Sequence, residues 1–133
     1  MEQKNYSVVR RAVGYQRYDT PAELELLNNL YEDLRLYTNY FQPVMKLIEK
    51  TRVGSRVHKT YDRAKTPYQR VVDSSFIPKR SKTKLNKHYE TLNPAALKRE
   101  MDRLQTRLDQ LARRNRQTRR EDENASDLEY LFT

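Results

Sequence analysis

The sequence predicts a mainly α-helical chain with one β-hairpin. Residues 24–41 and residues 97–111 carry leucines and other apolar residues at the three- and four-residue spacing of one helix face. Between them, residues 45–61 are enriched in Thr, Val and Ile and are divided by Gly54, which is typical of two strands joined by a turn. We therefore expect an N-terminal helix, a long apolar helix, a basic hairpin and a long C-terminal amphipathic helix, in that order.

A basic, helix-like stretch opens the chain at residues 2–11, and Gly14 follows it in a position suited to a left-handed helix cap. The run Thr20–Glu23 then combines an N-cap hydroxyl, a proline at the first helical position and a glutamate three residues after the cap. The long apolar helix therefore begins here. Its apolar stripe is wide enough to need burial on more than one side, and either two short helices or a second copy of the chain could cover it.

Pro43 ends that helix, and residues 44–63 form the predicted hairpin. Apolar and β-branched residues occupy odd-numbered positions on both sides of the turn, which predicts one shared face: Met45, Leu47, Thr51, Val53, Val57 and Tyr61. Basic residues outnumber acidic ones along the hairpin. The basic residues are Lys46, Lys50, Arg52, Arg56, Lys59 and Arg63. A basic ribbon suits contact with a DNA backbone. Solvated lysines that protect a sheet edge from aggregation are an equally weighted alternative.

Residues 64–92 have the composition of a basic linker. Pro67 and Pro78 interrupt this segment, and its basic cluster includes Lys79, Arg80 and Lys82. Basic loops of this kind can lie on phosphates, but a solvated connection is the simpler interpretation. We expect a short helix only at residues 85–92.

Asn93 and Pro94 repeat the cap-and-proline start and open the most regular helix, residues 93–120. Apolar residues alternate four and three apart along it, at Leu97, Met101, Leu104, Leu108 and Leu111. This seam predicts docking on a partner helix or on a second copy, as in a coiled coil. Arginines crowd the C-terminal end, where they suit the helix macrodipole and could contact DNA: Arg113, Arg114 and Arg116. Residues 121–133 contain five acidic residues and no Lys or Arg, which predicts a disordered acidic tail.

Charge is unevenly distributed along the 133 residues. All 27 Lys and Arg residues lie at or before Arg120, together with 13 of the 18 acidic residues, and the other five acids follow it. A body this basic favours a polyanionic partner, because each neutralised phosphate releases condensed counterions. A well-hydrated surface is the alternative that charge by itself leaves open.

Several classes of site are excluded or disfavoured by composition. The chain has no cysteine, which excludes a disulfide framework, a thiolate metal site and a cysteine nucleophile. The two histidines, His58 and His88, lack a nearby ligand pattern and are expected on the surface. No apolar run reaches the roughly 18 residues that a membrane span needs. We therefore expect no membrane partner and a cytoplasmic protein, nucleoid-associated when on DNA.

Residues 2–66 resemble the integrase-core transposases of insertion sequences. The resemblance includes Glu2, the run Ser7–Arg11, and the leucine-rich segment that leads to Pro43. The run Tyr37–Pro43 is similar to the Tyr-Asn-x-x-Arg-Pro-His signature that follows the catalytic glutamate in many such enzymes. Three positions depart from that signature, at Thr38, Gln42 and Val44.

The resemblance implies that residues 1–43 are the C-terminal remnant of an RNase H-like catalytic core. It also implies that Glu2 is the third of three carboxylates that bind Mg²⁺ in a full-length enzyme. In the family the two partner aspartates lie on upstream strands that this sequence lacks, and one glutamate cannot hold two catalytic metal ions. We therefore expect no catalysis and no cofactor for this chain alone. By residue chemistry alone, Glu2 is a solvated residue near a chain terminus.

Two function hypotheses follow. The first is the C-terminal portion of a transposase or integrase that acts in DNA transposition and integration, inactive alone and retaining DNA-backbone contacts. The second is a stand-alone basic helical adaptor that binds nucleic acid or a partner helix. The basic residues expected to contact DNA are Lys4, Arg10, Arg11, Lys46, Lys50, Arg52, Arg56, Lys59, Lys79, Arg80, Lys82, Arg113, Arg114 and Arg116.

Overall fold

The computed structural model describes the backbone of residues 5–131 and the side chains of residues 7–126. In that part of the chain it contains six helical segments and one two-stranded antiparallel sheet. The helices are α1 (Asn5–Arg10, π-type), α2 (Arg11–Val13), α3 (Pro21–Tyr40), α4 (Pro67–Asp73), α5 (Lys79–Thr91) and α6 (Pro94–Leu131). The strands are β1 (Leu47–Val53) and β2 (Arg56–Tyr61). The predicted fold class, mainly helical with one hairpin and a long C-terminal helix, is confirmed.

The chain divides into two compact units. Unit 1 comprises the residues up to Asp33 and those from Arg99 onward, whereas unit 2 comprises Leu34–Lys98. The helices α3 and α6 each contribute residues to both units. The predicted boundaries at residues 43 and 93 follow changes of composition, but the units follow contacts between distant parts of the chain.

Unit 1 is built on the N-terminal half of α3 and the middle of α6. Asn115 of α6 donates a hydrogen bond to Glu23 near the start of α3, at 3.0 Å. Gln105 donates to the carbonyl of Ala12 at 2.7 Å, which ties the segment before α3 to the same helix. Leu30 and Leu108 are almost completely buried. Burial of such side chains is the main stabilising term for a helix pair of this size.

The start of α3 confirms the predicted capping box. The backbone N–H of Glu23 donates to the hydroxyl of Thr20 at 3.3 Å, and the Thr20 N–H donates to the Glu23 carboxylate at 2.9 Å. Gly14 ends α2, but its φ of 72° is combined with a ψ of −156°, so it does not adopt the left-handed helical conformation that was expected. Glycine reaches this combination of angles more readily than other residues do. The capping box is therefore confirmed, whereas Gly14 ends its helix in a different conformation.

In unit 2 the aromatic side chains at the end of α3 meet those of α4 and α5. The rings of Tyr68 and Tyr89 stack with centroids 4.6 Å apart, and Tyr40 packs within 5.3 Å of Tyr68. The hydroxyl of Tyr40 also lies 2.9 Å from Nδ1 of His88. This aromatic cluster provides the packed centre of unit 2, since the strands of the hairpin contribute no buried side chain.

The register of the hairpin corrects the predicted shared face. Val53 pairs with Arg56 and Arg52 pairs with Val57, because a two-residue turn joins the strands. Paired residues lie on the same face, so Val57 shares a face with Arg52 and not with Thr51 or Val53. An irregularity between Leu47 and Glu49 then brings Leu47 opposite Tyr61.

The prediction of a linker with one short helix at residues 64–92 was wrong. This segment contains α4 and also α5, which begins at Lys79, within the basic cluster, and not at residue 85. The α4 start has a complete capping box in which Gln69 N–H donates to the Thr66 hydroxyl at 3.1 Å and Thr66 N–H donates to the Gln69 side chain at 3.0 Å. Pro67 occupies the first turn, where proline favours a helix start.

The prediction of a disordered tail was also wrong, because α6 continues through residues 121–131. Asn93 caps its start as predicted, accepting hydrogen bonds from the N–H groups of Ala95 and Ala96. At the other end, Gln117 donates to the Glu121 side chain at 3.2 Å. Extending an existing helix needs no new nucleation, so this polar segment can remain helical although residues 121–126 are all exposed.

The apolar seam of α6 is used within the chain. Met101, Leu104 and Leu108 are buried, and Ala112 continues the same stripe at 4% exposure. The prediction that these three residues dock on a partner is therefore corrected, because their side chains form the core of unit 1. Leu97 and Leu111 are half-buried.

Along the described helices, none combines the length with the apolar character that crossing a lipid bilayer requires. The long helix α6 shows the reason, since charged residues recur on every turn of its second half.

Candidate nucleic-acid interface

The predicted DNA-contacting residues fall into two sets. The first set belongs to unit 2 and includes the basic residues of the hairpin and of the first turn of α5. The second set belongs to unit 1 and consists of Arg10, Arg11, Arg113, Arg114 and Arg116. Glu2 and Lys4 lie outside the described residues.

One face of the hairpin gathers three of the basic side chains. Lys50 pairs directly with Lys59, and Arg52 pairs with Val57 at the next position on the same face. We call this the lysine face: Lys50, Arg52, Val57 and Lys59. Directly opposed residues in an antiparallel ladder have Cβ atoms about 4.5–5.5 Å apart, so the two lysine side chains leave the ribbon side by side on one face.

The opposite face has a different character. It carries Thr51 paired with His58 and Val53 paired with Arg56, with Glu49 and Thr60 further along. Arg56 is the single Lys or Arg on this face between Glu49 and Thr60, and Glu49 is also there, so the hairpin concentrates positive charge on the lysine face. Both faces are exposed along the whole length of both strands.

The two lysines are exposed and unneutralised. Within residues 7–126, neither Lys50 nor Lys59 makes an ion pair. Like charges directly opposite each other destabilise a β-ladder. An anion placed between them converts this repulsion into attraction, which is the property expected of a phosphate-binding surface.

An arginine of α4 anchors the base of the hairpin. Arg70 donates two hydrogen bonds to the Asp62 carboxylate, at 2.5 and 3.1 Å, and one to the carbonyl of Val44 at 2.7 Å. The same carboxylate accepts from the backbone N–H of Lys46 at 2.6 Å. The two ends of the ribbon are thereby joined to each other and to α4. We refer to this set of four residues as the Arg70 anchor.

These contacts change the acidity of the carboxylate. The hydrogen bonds from Arg70, followed by that from the Lys46 N–H, lower the pKa of Asp62 to about 2. Asp62 is therefore charged throughout the physiological range. The arginine has a raised pKa from the same interaction. Both partners keep their charge wherever the protein is expected to function, so the anchor is permanent under those conditions.

A second acid, Asp73 at the end of α4, interacts with basic residues on both sides of that helix. Lys65 donates to the Asp73 carboxylate at 2.6 Å, and this contact lowers the pKa of Asp73, with a smaller contribution from Lys82. Lys79 and Arg80 are exposed in the first turn of α5. The N-terminus of a helix carries partial positive charge, so basic residues there lower the stability of the helix.

In unit 1 several of the predicted arginines have partners within the chain. Arg10 donates to the Gly14 carbonyl at 3.4 Å and lies 5.0 Å from the centre of the Tyr15 ring. Arg113 pairs with Asp109 at 2.8 Å, four residues earlier on the same helix. Arg116 donates to Gln16 at 3.5 Å. These arginines are exposed. Gln16 also donates to Asp109, so Arg113 and Arg116 belong to one chain of contacts within the protein.

Sequence reasoning missed the residues that position the ribbon. Asp62 and Arg70 were absent from the candidate set, since neither faces a ligand. A signal existed: the run Thr66–Gln69 repeats the hydroxyl, proline and N3 acceptor pattern that marked the start of α3. Recognising it would have placed Arg70 on a helix directly after the second strand.

The described residues do not fit the Mg²⁺ site that the transposase resemblance implies. Among them, no group of three or more His, Asp or Glu side chains is arranged to hold a metal ion. A site for divalent magnesium needs several converging oxygen ligands. Within this part of the chain we therefore derive no metal-dependent step.

Comparison with known proteins gives a limited result. The chain is similar to the uncharacterized protein y4rM of Sinorhizobium fredii. The identity is 52% over 61 residues, which is 46% of this chain and 17% of y4rM. The matched region thus spans a small part of that longer protein. No protein-family model and no solved structure matches the chain.

Proposed function

We propose that the chain binds the phosphate backbone of DNA through the lysine face of its hairpin. The observation that carries this proposal is the direct pairing of Lys50 with Lys59. Two exposed lysine side chains lie on the same face of a ribbon, neither makes an ion pair within residues 7–126, and Arg52 extends that face. Such a pair is unfavourable for the hairpin alone and favourable for a bound polyanion.

The anchoring of the ribbon supports the same function. The Arg70 anchor fixes both ends of the hairpin, so the ribbon projects from a defined base while its own side chains remain exposed. A two-stranded ribbon is narrow enough for the major groove of B-DNA, and backbone contacts would position it there. A preorganised surface also loses less conformational entropy on binding than a mobile loop.

The test uses two substitutions on the same strand. Lys59→Gln removes one positive charge from the lysine face, and Arg56→Gln removes one from the opposite face. We expect Lys59→Gln to weaken DNA binding several-fold and to reduce the slope of log affinity against log salt by about 0.9, the value for one lost phosphate contact. Arg56→Gln should leave the slope close to that of the unmodified protein. Fluorescence anisotropy with a short duplex, between low and moderate salt, measures both.

Equal effects of the two substitutions would show that charge alone matters and that the face does not. Affinity that stays unchanged as salt increases would contradict backbone binding altogether. Circular dichroism of each variant provides the folding control, because both side chains are exposed and neither contributes to a core.

We further propose that the chain corresponds to the C-terminal portion of an insertion-sequence transposase that acts in DNA transposition and integration. The support is the resemblance of residues 2–66, and the match to a longer protein shows that a related segment occurs within a larger chain. This proposal places the protein in the cytoplasm, on the nucleoid when DNA is bound. It also assigns Mg²⁺ to a full-length enzyme and no catalysis to this chain.

The genomic context tests this broader proposal. The DNA preceding the Met1 codon should encode, in frame or after one frameshift, strands that carry two aspartates. Unrelated upstream sequence would favour the stand-alone adaptor. Mg²⁺-dependent nicking of DNA by the purified chain would overturn the expectation that it is inactive.

A further inference from the structure

A groove of about 720 Å³ lies within unit 1, along one side of the pair formed by α3 and α6. Its floor is apolar and includes Leu26, Leu104 and Leu111. Leu26 and Leu111 are half-buried, so each retains surface that a neighbour could cover. All residues that line the groove belong to unit 1.

The two rims of the groove carry opposite charge. The α3 rim contributes the acidic side chains Glu25, Glu32 and Asp33. The α6 rim contributes Arg103, Arg107 and Arg114, together with one acid, Glu100, which is bonded to Arg103 at 2.6 Å. An apolar floor between an acidic rim and an arginine rim is suited to a partner with the reverse arrangement.

Part of this charge is available for an intermolecular contact. Within residues 7–126, Glu25, Arg107 and Arg114 make no ion pair. Asp33 has a pKa raised by burial and by the nearby Glu100 and Glu32. The acidic rim is therefore not neutralised at that position, and a cation from a second molecule would stabilise it.

We propose that this groove is the interface of a homodimer whose two-fold axis runs along the groove. Rotation about that axis brings the acidic rim of each copy opposite the arginine rim of the other. An axis across the groove would place acid on acid and arginine on arginine, and the repulsion between like charges excludes that arrangement. The charge pattern thus selects a second copy of this chain and fixes its orientation, and the contact is the same from both sides.

The alignment of the helices identifies the facing residues. The hydrogen bond between Glu23 and Asn115 sets the level at which α3 and α6 run past each other in opposite directions. Two residues further along α3, Glu25 lies at nearly the level of Arg114. Rotation about an axis along the groove leaves the position of each residue along that axis unchanged. Glu25 of one copy therefore faces Arg114 of the other, and the symmetry of the dimer forms this contact twice.

Charge reversal tests the interface. We expect the unmodified chain, free of nucleic acid, to sediment at twice its 16.1 kDa mass. Glu25→Arg and Arg114→Glu should each weaken the dimer at least about tenfold, because each variant creates two like-charge contacts. An equimolar mixture of the two variants should recover the dimer, since both contacts in the mixed pair are then between opposite charges.

The mixture separates this proposal from an effect within one chain. If a charge reversal disrupted a contact inside one chain, adding the other variant could not restore that contact. Failure of the mixture to associate would therefore overturn the proposal. A monomeric unmodified chain, or single variants that still dimerise, would overturn it as well. Arg120→Glu is the matched control, because Arg120 is exposed on α6 outside the groove and its reversal should leave the dimer intact.

Milder substitutions guard against misfolding. Glu25→Gln and Arg114→Gln remove charge without creating repulsion, and each should weaken the dimer less than its reversed counterpart. Equal helical content by circular dichroism should accompany all variants. Sedimentation in the absence of DNA makes the result independent of the proposed role of the hairpin.

Discussion

The middle of α6 and the hairpin use apolar residues in opposite ways. Along α6, Met101, Leu104, Leu108 and Ala112 follow the helical repeat and are all buried. In the hairpin, apolar residues such as Ile48 and Val53 are more than 60% exposed. One region therefore forms a core, whereas the other presents its whole surface to solvent.

This contrast separates two ways of stabilising an element. The α6 segment depends on the burial of side chains, which is the dominant favourable term in folding. The hairpin depends on its backbone ladder, the Arg70 anchor and the turn at Gly54, which has a φ of 60°. Substitutions in α6 should consequently change the free energy of unfolding, whereas exposed substitutions in the ribbon should change binding.

Truncation of Leu108 should have the largest effect on stability. Leu108 is 1% exposed, and Leu108→Ala removes buried methyl groups and leaves a cavity. We expect the free energy of unfolding to fall by about 2 to 5 kcal/mol, measured by urea denaturation. Because small proteins are marginally stable, this variant could unfold. Leu108→Met, which conserves volume, should then cost less than about 1.5 kcal/mol and provides a folded comparison.

The matched substitution in the hairpin is Ile48→Ala. Ile48 is 67% exposed, so its truncation creates no cavity. The change in the free energy of unfolding should stay within about 0.5 kcal/mol. A loss as large as that of Leu108→Ala would show that the hairpin is covered in solution, and the contrast between the two regions would disappear.

The sequence predicted elements whose signals are local. The capping box at Thr20, the cap at Asn93 and the turn at Gly54 each depend on a few adjacent residues, and each is found where expected. The face of the hairpin could not be predicted from parity, because it depends on the number of residues in the turn. Whether the α6 leucines meet a partner or their own chain depends on contacts between distant residues, which spacing does not encode.

Two other differences have physical explanations of their own. Composition around Pro67 and Pro78 suggested a linker, yet a proline in the first turn starts a helix as readily as it interrupts one. The acidic end was expected to be disordered because of its charge, but it continues a helix that is already formed. In the candidate site, the sequence shows the type and position of each basic residue, whereas the pairing of Lys50 with Lys59 and the contact of Arg70 with Asp62 depend on strand register and on the fold.

Removal of the α4 cap should have an intermediate effect. Thr66 is 7% exposed, and its hydroxyl accepts a hydrogen bond from the Gln69 N–H. Thr66→Ala should lower the free energy of unfolding by about 1 kcal/mol, the usual loss for an N-cap. Since α4 carries Arg70, amide exchange at the base of the hairpin should also accelerate.

Thr83→Ala is the control for this change. Thr83 lies within α5, is exposed, and donates back to the Lys79 carbonyl at 3.0 Å without capping a helix. Alanine has the higher helix propensity, so stability should be unchanged or slightly higher. Equal losses for the two substitutions would argue against a capping role for Thr66.

Acidification should produce the smallest and most local effect. Asp62 has a pKa of about 2, below the ordinary aspartate value of 3.8, because Arg70 and the Lys46 N–H bind its charged form. A lowered pKa means that the stabilisation is complete above pH 4 and is lost as the pH falls towards 2. The protection of amides at the base of the hairpin, taken relative to the intrinsic exchange rate at each pH, should therefore fall across that window, while amides in the middle of α6 report the general response to acid.

The variant Asp62→Asn isolates this titration from that of other carboxylates. Glu23, Asp73 and Glu100 also have lowered pKa values, so acid weakens several contacts together. In Asp62→Asn the partner of Arg70 is a neutral amide that does not titrate. Amides at the hairpin base should therefore already be weakly protected at neutral pH. On acidification their protection should change little more than that of amides in the middle of α6. A carboxyl carbon resonance of Asp62 that titrates near pH 4 would show that Arg70 does not hold the hairpin, because the bound and free forms of the carboxylate would then have the same acidity.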